Sequence, residues 1–249
     1  MPYIHRPKKL QKASLNKGKA NGDLTRGLVS VSDPMSAGAE AYRSLSTNLL
    51  YAGGDGAPEV VLLTGPGTGE GKSTTCANLA VVIVQAGRSV LLVDCDLRKP
   101  ALHSMFGLRN VFGLVDVLSG ERNLQDVYQE PMTGLKMVTA GPAQPIPAEV
   151  LSSGRFSAFL QEVRQEFDYI LLDAPPVEST SDPAILATQV DGILLVFDAQ
   201  GTRKGALRRS IRSLETVGAN LLGTVMNNVQ TSESPDYSSA YYRYSPHSD

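Results

Sequence analysis

The fold of this chain is decided by the stretch TGPGTGEGKST, residues Thr64 to Thr74. It follows the apolar run Val60 to Leu63 and opens a helical stretch from Ser73 to Gln85, so a strand leads through a glycine-rich turn into a helix. Glycines let backbone N–H groups approach an anion, and the helix N-terminus adds a positive dipole. The stretch therefore predicts a phosphate-binding loop in which Lys72 bridges the β and γ phosphates of a nucleotide and the Ser73 hydroxyl ligates Mg²⁺.

The loop departs from the usual pattern at one position, because Pro66 stands where a glycine is usual, five residues before Gly71. The lysine and the hydroxyl that the chemistry needs are both retained. A glycine-rich turn without a ligand is the alternative, but here the Gly-Lys-Ser-Thr ending and the strand-to-helix setting occur together. The residues predicted to contact the nucleotide from this loop are Gly67, Thr68, Gly69, Glu70, Gly71, Lys72, Ser73 and Thr74.

Short apolar runs, rich in β-branched residues and bounded by turn residues or Asp, recur along the chain. Six of them are predicted as buried parallel strands: Val60 to Leu63, Val90 to Val93, Leu135 to Val138, Tyr169 to Leu172, Ile193 to Phe197 and Leu221 to Met226. Helical stretches precede and separate them: Ala39 to Tyr51, Ser73 to Gln85, Arg155 to Glu166, Pro183 to Thr188 and Lys204 to Val217. This alternation predicts an α/β fold with a doubly wound, mostly parallel sheet that binds ligands outside the carboxyl ends of its strands.

The composition is that of one compact domain with flexible ends, since 249 residues at 42% hydrophobic content can bury a full core. We predict a basic flexible arm over residues 1–35, a phosphate-loop domain over residues 36–228 and a tyrosine-rich tail over residues 229–249. The formal net charge of -2 gives no general attraction to nucleic acid, so no nucleic-acid partner is expected.

The cysteines and the apolar runs indicate a cellular location. Cys76 and Cys95 fall inside predicted core elements without zinc or disulfide spacing, which is typical of the reducing cytosol. No apolar run approaches the ~20 residues that a spanning helix needs. We therefore expect a cytoplasmic protein whose link to the inner face of the cell membrane comes through a partner.

Two further strand ends carry acids. Asp94 and Asp96 follow the second strand two residues apart, so period-two geometry points both to one side, where they could hold hydrated Mg²⁺ or orient an incoming hydroxyl. A capped strand end followed by a turn is the alternative. Asp173 ends the fourth predicted strand, as expected for a second magnesium-side acid of a phosphate-loop enzyme. Arg98 is predicted either to steady charge on the transferred phosphoryl group or to contact a neighbouring subunit.

The end of the chain is rich in tyrosine. Four of the nine tyrosines, Tyr237, Tyr241, Tyr242 and Tyr244, lie in the last thirteen residues, among almost no aliphatic side chains. A phosphoryl donor site and a row of acceptors on one chain predict an enzyme that phosphorylates its own kind on tyrosine. Two alternatives remain open at this point: an ATPase switch that drives localisation, and a nucleotide-binding regulatory protein with little turnover.

With these elements in this order, the chain resembles the bacterial tyrosine kinase family, the autokinases of capsular and exopolysaccharide production, within the broad class of partitioning and cell-division-site ATPases. The resemblance runs from about Asp33 to Val229. It implies ATP and Mg²⁺ as cofactors, with Asp94 activating the acceptor hydroxyl and Asp96 and Asp173 near the metal. It also implies that Asn227 contacts adenine.

The resemblance extends to partners. It implies a homo-oligomer joined through Glu40 and Arg43, although Ser46 stands where the family motif has a second arginine. It also implies a membrane-anchored activator of the polysaccharide co-polymerase type, protein tyrosine substrates and a cognate tyrosine phosphatase. The partitioning ATPases carry a signature lysine where this chain has Gly67, which favours the kinase.

Overall fold

The structure, a computed structural model, describes residues 27–52, 56–143 and 147–230. The strands in these ranges are β1 (Val60–Thr64), β2 (Val90–Asp94), β3 (Gln129–Met132), β4 (Leu135–Val138), β5 (Tyr169–Asp173), β6 (Gly192–Asp198) and β7 (Leu221–Asn227). The helices are α1 (Val29–Ser32), α2 (Ala37–Leu50), α3 (Lys72–Gln85), α4 (Leu102–Met105), α5 (Leu114–Ser119), α6 (Leu124–Val127), α7 (Pro147–Leu151), α8 (Gly154–Val163), α9 (Asp182–Ala187) and α10 (Lys204–Thr216).

All seven strands form one sheet in the order β3-β4-β2-β5-β1-β6-β7. Every neighbouring pair is parallel except β3 with β4. The prediction of a doubly wound, mostly parallel α/β sheet is therefore confirmed. The carboxyl ends of β2, β5 and β1 lie side by side, which brings together the two acidic strand ends and the phosphate loop.

Strand β3 was not among the six predicted strands. Its four residues, Gln129, Glu130, Pro131 and Met132, form no apolar run, and its pairing with β4 is irregular. An edge strand is where a sheet tolerates a proline, because the missing N–H has no second neighbour to bond. The five predicted helices are present with ends shifted by no more than three residues, whereas α1 and α4–α7 are too short to show a helical period.

The sheet separates two apolar cores, because alternate residues of each central strand point to opposite faces. In β1, Val60 and Leu62 pack with α5, α8, α9 and α10, whereas Val61 and Leu63 pack with α1–α4. All five residues of β1, β2 and β5 are buried. Two-sided burial explains why these strands appear in the sequence as continuous apolar runs.

Helix α3, which begins at the phosphate loop, is buried along most of its length beneath α1 and α2. Its Asn78 side chain is fully buried and accepts the Ser30 N–H at 2.9 Å, while its Nδ2 donates to the carbonyls of Gly27 at 2.7 Å and Thr74 at 2.9 Å. Ordered structure thus reaches into the range predicted as the basic arm, where Leu28 is 1% exposed.

Replacing Asn78 with Ala is expected to destabilise the fold by about 2 kcal/mol, because the buried Ser30 N–H loses its acceptor. Urea unfolding followed by circular dichroism measures the change. Gln85→Ala is the matched control, since Gln85 donates to the carbonyl of the same Ser30 from an exposed position. Equal losses in the two variants would contradict the role given to Asn78.

Candidate active site

The phosphate loop is held in a conformation that only glycine permits at two positions. A Cβ on Gly65 would lie 2.2 Å from the Val196 carbonyl oxygen, and a Cβ on Gly71 would lie 2.0 Å from Asn227 Nδ2. Gly71 also has a φ of 86°, in the left-handed region, and directly precedes α3. The loop therefore wraps the N-terminus of α3, where backbone N–H groups and the helix dipole favour an anion.

Lys72 is the cation of this loop. Its side chain is mostly enclosed, at 8% exposure, and its Nζ donates to the Gly67 carbonyl at 2.6 Å. Burial lowers the pKa of Lys72, while the carboxylates of Asp173, Glu70 and Asp96 act in the opposite direction. The ammonium group therefore lies among three acids, close to where a phosphate would bind.

Glu70 stabilises the phosphate loop through hydrogen bonds of its carboxylate. It is nearly buried, and its carboxylate accepts the Gly67 N–H at 2.8 Å and the Thr202 hydroxyl at 2.6 Å. Thr202 Oγ1 in turn accepts the Asp198 N–H at 2.9 Å. The phosphate loop is thus tied to the segment that follows β6. Residues 66–70 also line one side of a cavity of about 360 Å³, opposite residues 201–203.

Asn227 lies at the end of β7 and contacts the phosphate loop through its side-chain amide. Its Nδ2 donates to the Glu70 carbonyl at 3.2 Å and to Thr75 Oγ1 at 3.3 Å. The structure therefore brings Asn227 to the predicted nucleotide site. Its contact with adenine stays a prediction.

The two strand-end acids Asp94 and Asp173 are neighbours across β2 and β5. Asp94 is fully buried and accepts backbone N–H groups from Asp96 at 3.2 Å and from Ala101 and Leu102 at 3.1 Å. Burial, opposed in part by these hydrogen bonds, raises the pKa of Asp94 to about 7. A carboxylate with such a pKa can exchange a proton near neutral pH.

Asp173 is 1% exposed, and its Oδ1 has no hydrogen-bond partner. Burial and the nearby Asp94 carboxylate raise the pKa of Asp173 well above its usual range, although a hydrogen bond with the Ser73 side chain lowers it. A buried carboxylate oxygen without a partner is costly unless a ligand completes it. Asp173 Oδ1 therefore marks a position where a cation or a water molecule fits.

These residues fit a magnesium ion that is held jointly with a nucleotide. Ser73 and Asp173 supply oxygen ligands at adjacent positions, and Asp96 lies close enough to influence the pKa values of both Asp94 and Asp173. Within the described ranges no group of three or more His, Cys, Asp or Glu side chains is placed to hold a metal by itself. Mg²⁺ usually takes one or two carboxylates and completes its shell with water and phosphate oxygens.

Arg98 is fixed by an acid from α9. Its Nε lies 3.0 Å from Asp182 Oδ2 and its Nη2 lies 3.4 Å from Oδ1, with Asp182 fully buried and the Arg98 side chain 40% exposed. The hydrogen bond with Asp182 raises the pKa of Arg98. The guanidinium therefore connects the loop after β2 to the start of α9. This loop also carries Asp96, beside the strand-end acids Asp94 and Asp173.

The remaining predicted residues are not at the strand ends. Glu40 and Arg43 lie on α2 and form an ion pair at 2.6 Å, and Arg43 Nη1 also donates to the Pro34 carbonyl at 2.9 Å. Both side chains are about 40% exposed, so they remain accessible to another subunit. Tyr237, Tyr241, Tyr242 and Tyr244 lie outside the described residues.

Comparisons with known proteins agree with this fold. The family model described as ParA, NUBPL iron-transfer P-loop NTPase, matches residues 58–247. The tyrosine-protein kinase YwqD of Bacillus subtilis is 37% identical over 220 residues, which cover 88% of this chain and 92% of that protein. This chain belongs to the bacterial tyrosine kinase family. The tyrosine-protein kinase wzc of Salmonella typhi is 31% identical over 223 residues, covering 89% of this chain but 31% of that protein.

A solved structure of the same bacterial tyrosine kinase family supports the assignment. The kinase domain of the Escherichia coli tyrosine kinase ETK superposes with a TM-score of 0.79 at 30% identity, covering 84% of this chain and 83% of that one. The chain is accordingly a protein-tyrosine kinase with a P-loop NTPase fold. Of the three functions left open by the sequence, the kinase is the one that these relatives share.

Two residues of this kinase have roles that the sequence did not assign. Thr202 bonds Glu70 from a loop that carries no motif, so nothing in the sequence singles it out. Asp182 stands first in α9, before Pro183, which is a common place for a helix-start acid, and its partner Arg98 is 84 residues away. Only the folded sheet brings these pairs together.

Proposed function

We propose that this kinase uses ATP and Mg²⁺ to phosphorylate its own C-terminal tyrosines, Tyr237, Tyr241, Tyr242 and Tyr244, and so regulates the synthesis and export of capsular or exopolysaccharide. The observation that carries the proposal is the buried, unpartnered Asp173 Oδ1 beside Ser73 and Lys72, at the end of a phosphate loop. The similarity to named tyrosine kinases and the four clustered tyrosines support it.

The roles of the side chains follow from their positions. Lys72 and the loop N–H groups would bind the β and γ phosphates, and Ser73, Asp96 and Asp173 would hold the metal. A magnesium ion held there would supply charge neutralisation for the transferred phosphoryl group. Asp94, with a pKa of about 7, orients the tyrosine phenol and accepts its proton. Most of the acceleration then comes from positioning and charge stabilisation, as phosphoryl transfer requires.

The tail is long enough to reach the phosphate loop and the strand-end acids. Strand β7 ends at Asn227, at the same carboxyl end of the sheet as the site, and Gln230 is the last described residue. From Gln230 to Tyr244 the chain can extend roughly 48 Å, comparable to the width of the domain. Transfer within one chain and transfer between two chains are both within reach.

Changing the four tail tyrosines to Phe should remove most phosphotyrosine while leaving nucleotide binding intact. The acceptor hydroxyls are lost, but the phosphate loop is untouched. The measurement is transfer of label from γ-labelled ATP with Mg²⁺ to tyrosine in the purified chain, alongside titration with a fluorescent ADP analogue. Strong label on tyrosine in the Phe variant would disprove the acceptor assignment. Label found only as free phosphate in the parent chain would indicate an ATPase instead.

We further propose that the chain acts at the inner face of the cell membrane through a membrane-anchored activator, as a homo-oligomer that uses Glu40 and Arg43. Protein tyrosine substrates and a cognate phosphatase complete the cycle. No helix among the described residues has the length and apolar character to span a bilayer. The Salmonella relative is about three times as long as the region matched here, which is compatible with an activator joined to the kinase in some relatives and separate in others.

A further inference from the structure

Helix α10 presents a row of cations to solvent. Lys204, Arg208 and Arg212 are spaced four residues apart, so they lie on one face, and all three are exposed. The adjacent face, with Leu207, Ile211 and Leu214, packs on the core. We call Lys204, Arg208 and Arg212 the α10 basic row. None of the three forms an ion pair within the described part of the chain, where α10 contributes only Arg209, bonded to Glu178 at 2.7 Å.

The C-terminal tail leaves the domain beside the start of this row. Helix α10 begins at the carboxyl end of β6 and runs antiparallel to that strand. Strand β7, which is parallel to β6, then returns the chain to the carboxyl end of the sheet. There Gln200 Nε2 donates to the Asn228 carbonyl at 2.9 Å, and Gln230 Nε2 lies 3.4 Å from Gln200 Oε1. Residues 231–249 of the tail therefore follow a point that contacts Gln200, four residues before α10 begins.

The tail is long enough to lie along the row. Tyr237 is seven residues beyond Gln230, which allows roughly 24 Å of extended chain. From Lys204 to Arg212 the helix rises by about 12 Å. The chain is therefore long enough for all four tail tyrosines to reach the row.

The charges of the two segments become complementary after phosphorylation. The tail carries Glu233, Asp236 and Asp249 against Arg243, and each phosphotyrosine would add about -1.5 to -2 charge. Arginine, which supplies two of the three cations, binds phosphate through two parallel hydrogen bonds. Between Lys204 and Thr216 no large apolar side chain is exposed, whereas a helix that lies on a membrane inserts such residues. A multiply phosphorylated segment therefore suits the row better than a lipid surface.

We propose that the α10 basic row binds the phosphorylated tail of its own chain. This inference rests on the tail phosphorylation proposed above. Docking holds the modified tyrosines along the exposed side of α10, which runs from Lys204 near the phosphate loop away from it toward Arg208 and Arg212. The strand-end acids are then left free for another acceptor. The α10 basic row is thus a binding site for the product of autophosphorylation, the phosphorylated tail.

A synthetic peptide of residues 231–249, phosphorylated at the four tyrosines and fluorescently labelled, tests the proposal. The full chain is first dephosphorylated and kept free of ATP. The phosphopeptide should bind at least roughly tenfold more tightly than its unphosphorylated form, and Lys204→Gln/Arg208→Gln/Arg212→Gln should weaken its binding by roughly tenfold or more. Because all three side chains are exposed, the thermal midpoint of this triple variant should match that of the parent.

The matched control removes three positive charges elsewhere. Arg88, Arg109 and Arg122 are exposed, and Arg109 and Arg122 lie toward the β3–β4 edge of the sheet, opposite α10. Changing all three to Gln should alter phosphopeptide binding by less than about twofold, because screening limits the effect of distant charges. If both triple variants weaken phosphopeptide binding equally, the effect comes from the net charge of the protein and the proposal is wrong.

Two further measurements separate the competing outcomes. In the autophosphorylated full chain, an added tyrosine phosphatase should release tail phosphate several-fold faster from the α10 variant than from the parent. If the α10 variant instead loses binding to phosphatidylserine-containing vesicles and keeps its phosphopeptide affinity, the row is a membrane contact and the proposal is wrong. Since the binding assay uses a synthetic phosphopeptide, its failure leaves autophosphorylation standing, and a failure of autophosphorylation leaves docking measurable.

Discussion

Replacing Asp173 with Asn is expected to remove most phosphotyrosine formation and, at the same time, to make the unliganded chain more stable. Asp173 is 1% exposed beside Asp94, and its Oδ1 has no partner. Loss of the charge at this position weakens the metal site, so we expect phosphoryl transfer to fall by about 10²–10³-fold. The amide has nearly the same shape, and the Ser73 hydroxyl can still donate to its oxygen.

The gain in stability follows from the raised pKa of Asp173. A group whose pKa is higher in the folded chain than in the unfolded chain binds its proton more tightly when folded, so its contribution is complete at low pH and is lost as pH rises. At pH 8 Asp173 is ionised in the unfolded parent, so folding must either bury its charge or take up a proton, and Asn avoids both costs. We therefore expect the Asn variant to unfold with a free energy about 1–3 kcal/mol higher at pH 8, and with little difference below pH ~4.

Urea unfolding in EDTA at both pH values, paired with the γ-labelled ATP assay, measures the two effects together. Asp191→Asn is the control acid, because Asp191 lies at the opposite end of the sheet. Burial tends to raise its pKa, but hydrogen bonds from Arg164 and from the Val60 N–H outweigh burial and lower it. This control should lose stability and keep its specific activity. An Asp173→Asn variant that is active and less stable would refute the role given to the unpartnered oxygen.

The sequence predicts the parts of this site that lie at the ends of apolar strands. Val60 to Leu63, Val90 to Val93 and Tyr169 to Leu172 are buried on both faces, so their hydrophobic runs are continuous and the residues that follow them are easy to recognise. Parallel strands in one sheet then bring Lys72 and Asp173 together without further information. This is why the phosphate loop and the acid cluster could be predicted together.

The sequence does not predict contacts that depend on the relative placement of loops. Thr202 meets Glu70 across 132 residues, and one threonine in a loop carries no recognisable signal. Strand β3 was missed for a related reason, since an edge strand buries one side at most and needs no apolar run. The short helices that the sequence does not predict, such as α4 and α5, are stabilised by packing and show no period of their own.

Replacing Lys72 with Met should have the largest effect on catalysis, with a loss of phosphoryl transfer of at least about 10³-fold, because the cation that binds the β and γ phosphates is removed. Its effect on stability combines two opposing changes. Burial lowers the pKa of Lys72, so Met removes a charge that is costly to bury, but the same change takes a compensating charge away from the carboxylates of Asp173, Glu70 and Asp96. Because the lowered pKa shows that burial outweighs these carboxylates, we expect the unliganded Met variant to be no less stable than the parent at pH 8.

Combining the two changes tests whether Lys72 and Asp173 act as a charge pair in the fold. If the pair interacts, the double variant Lys72→Met/Asp173→Asn should be more stable than the sum of the two single changes predicts, by about 1 kcal/mol or more, while remaining inactive. Strictly additive free energies would show that the acid and the lysine do not interact.

Lys72→Arg is the charge-conserving control, because it keeps the positive charge but replaces a compact ammonium with a planar guanidinium. It should recover little activity, because the larger planar group cannot take the position of the compact ammonium, which lies 2.6 Å from the Gly67 carbonyl.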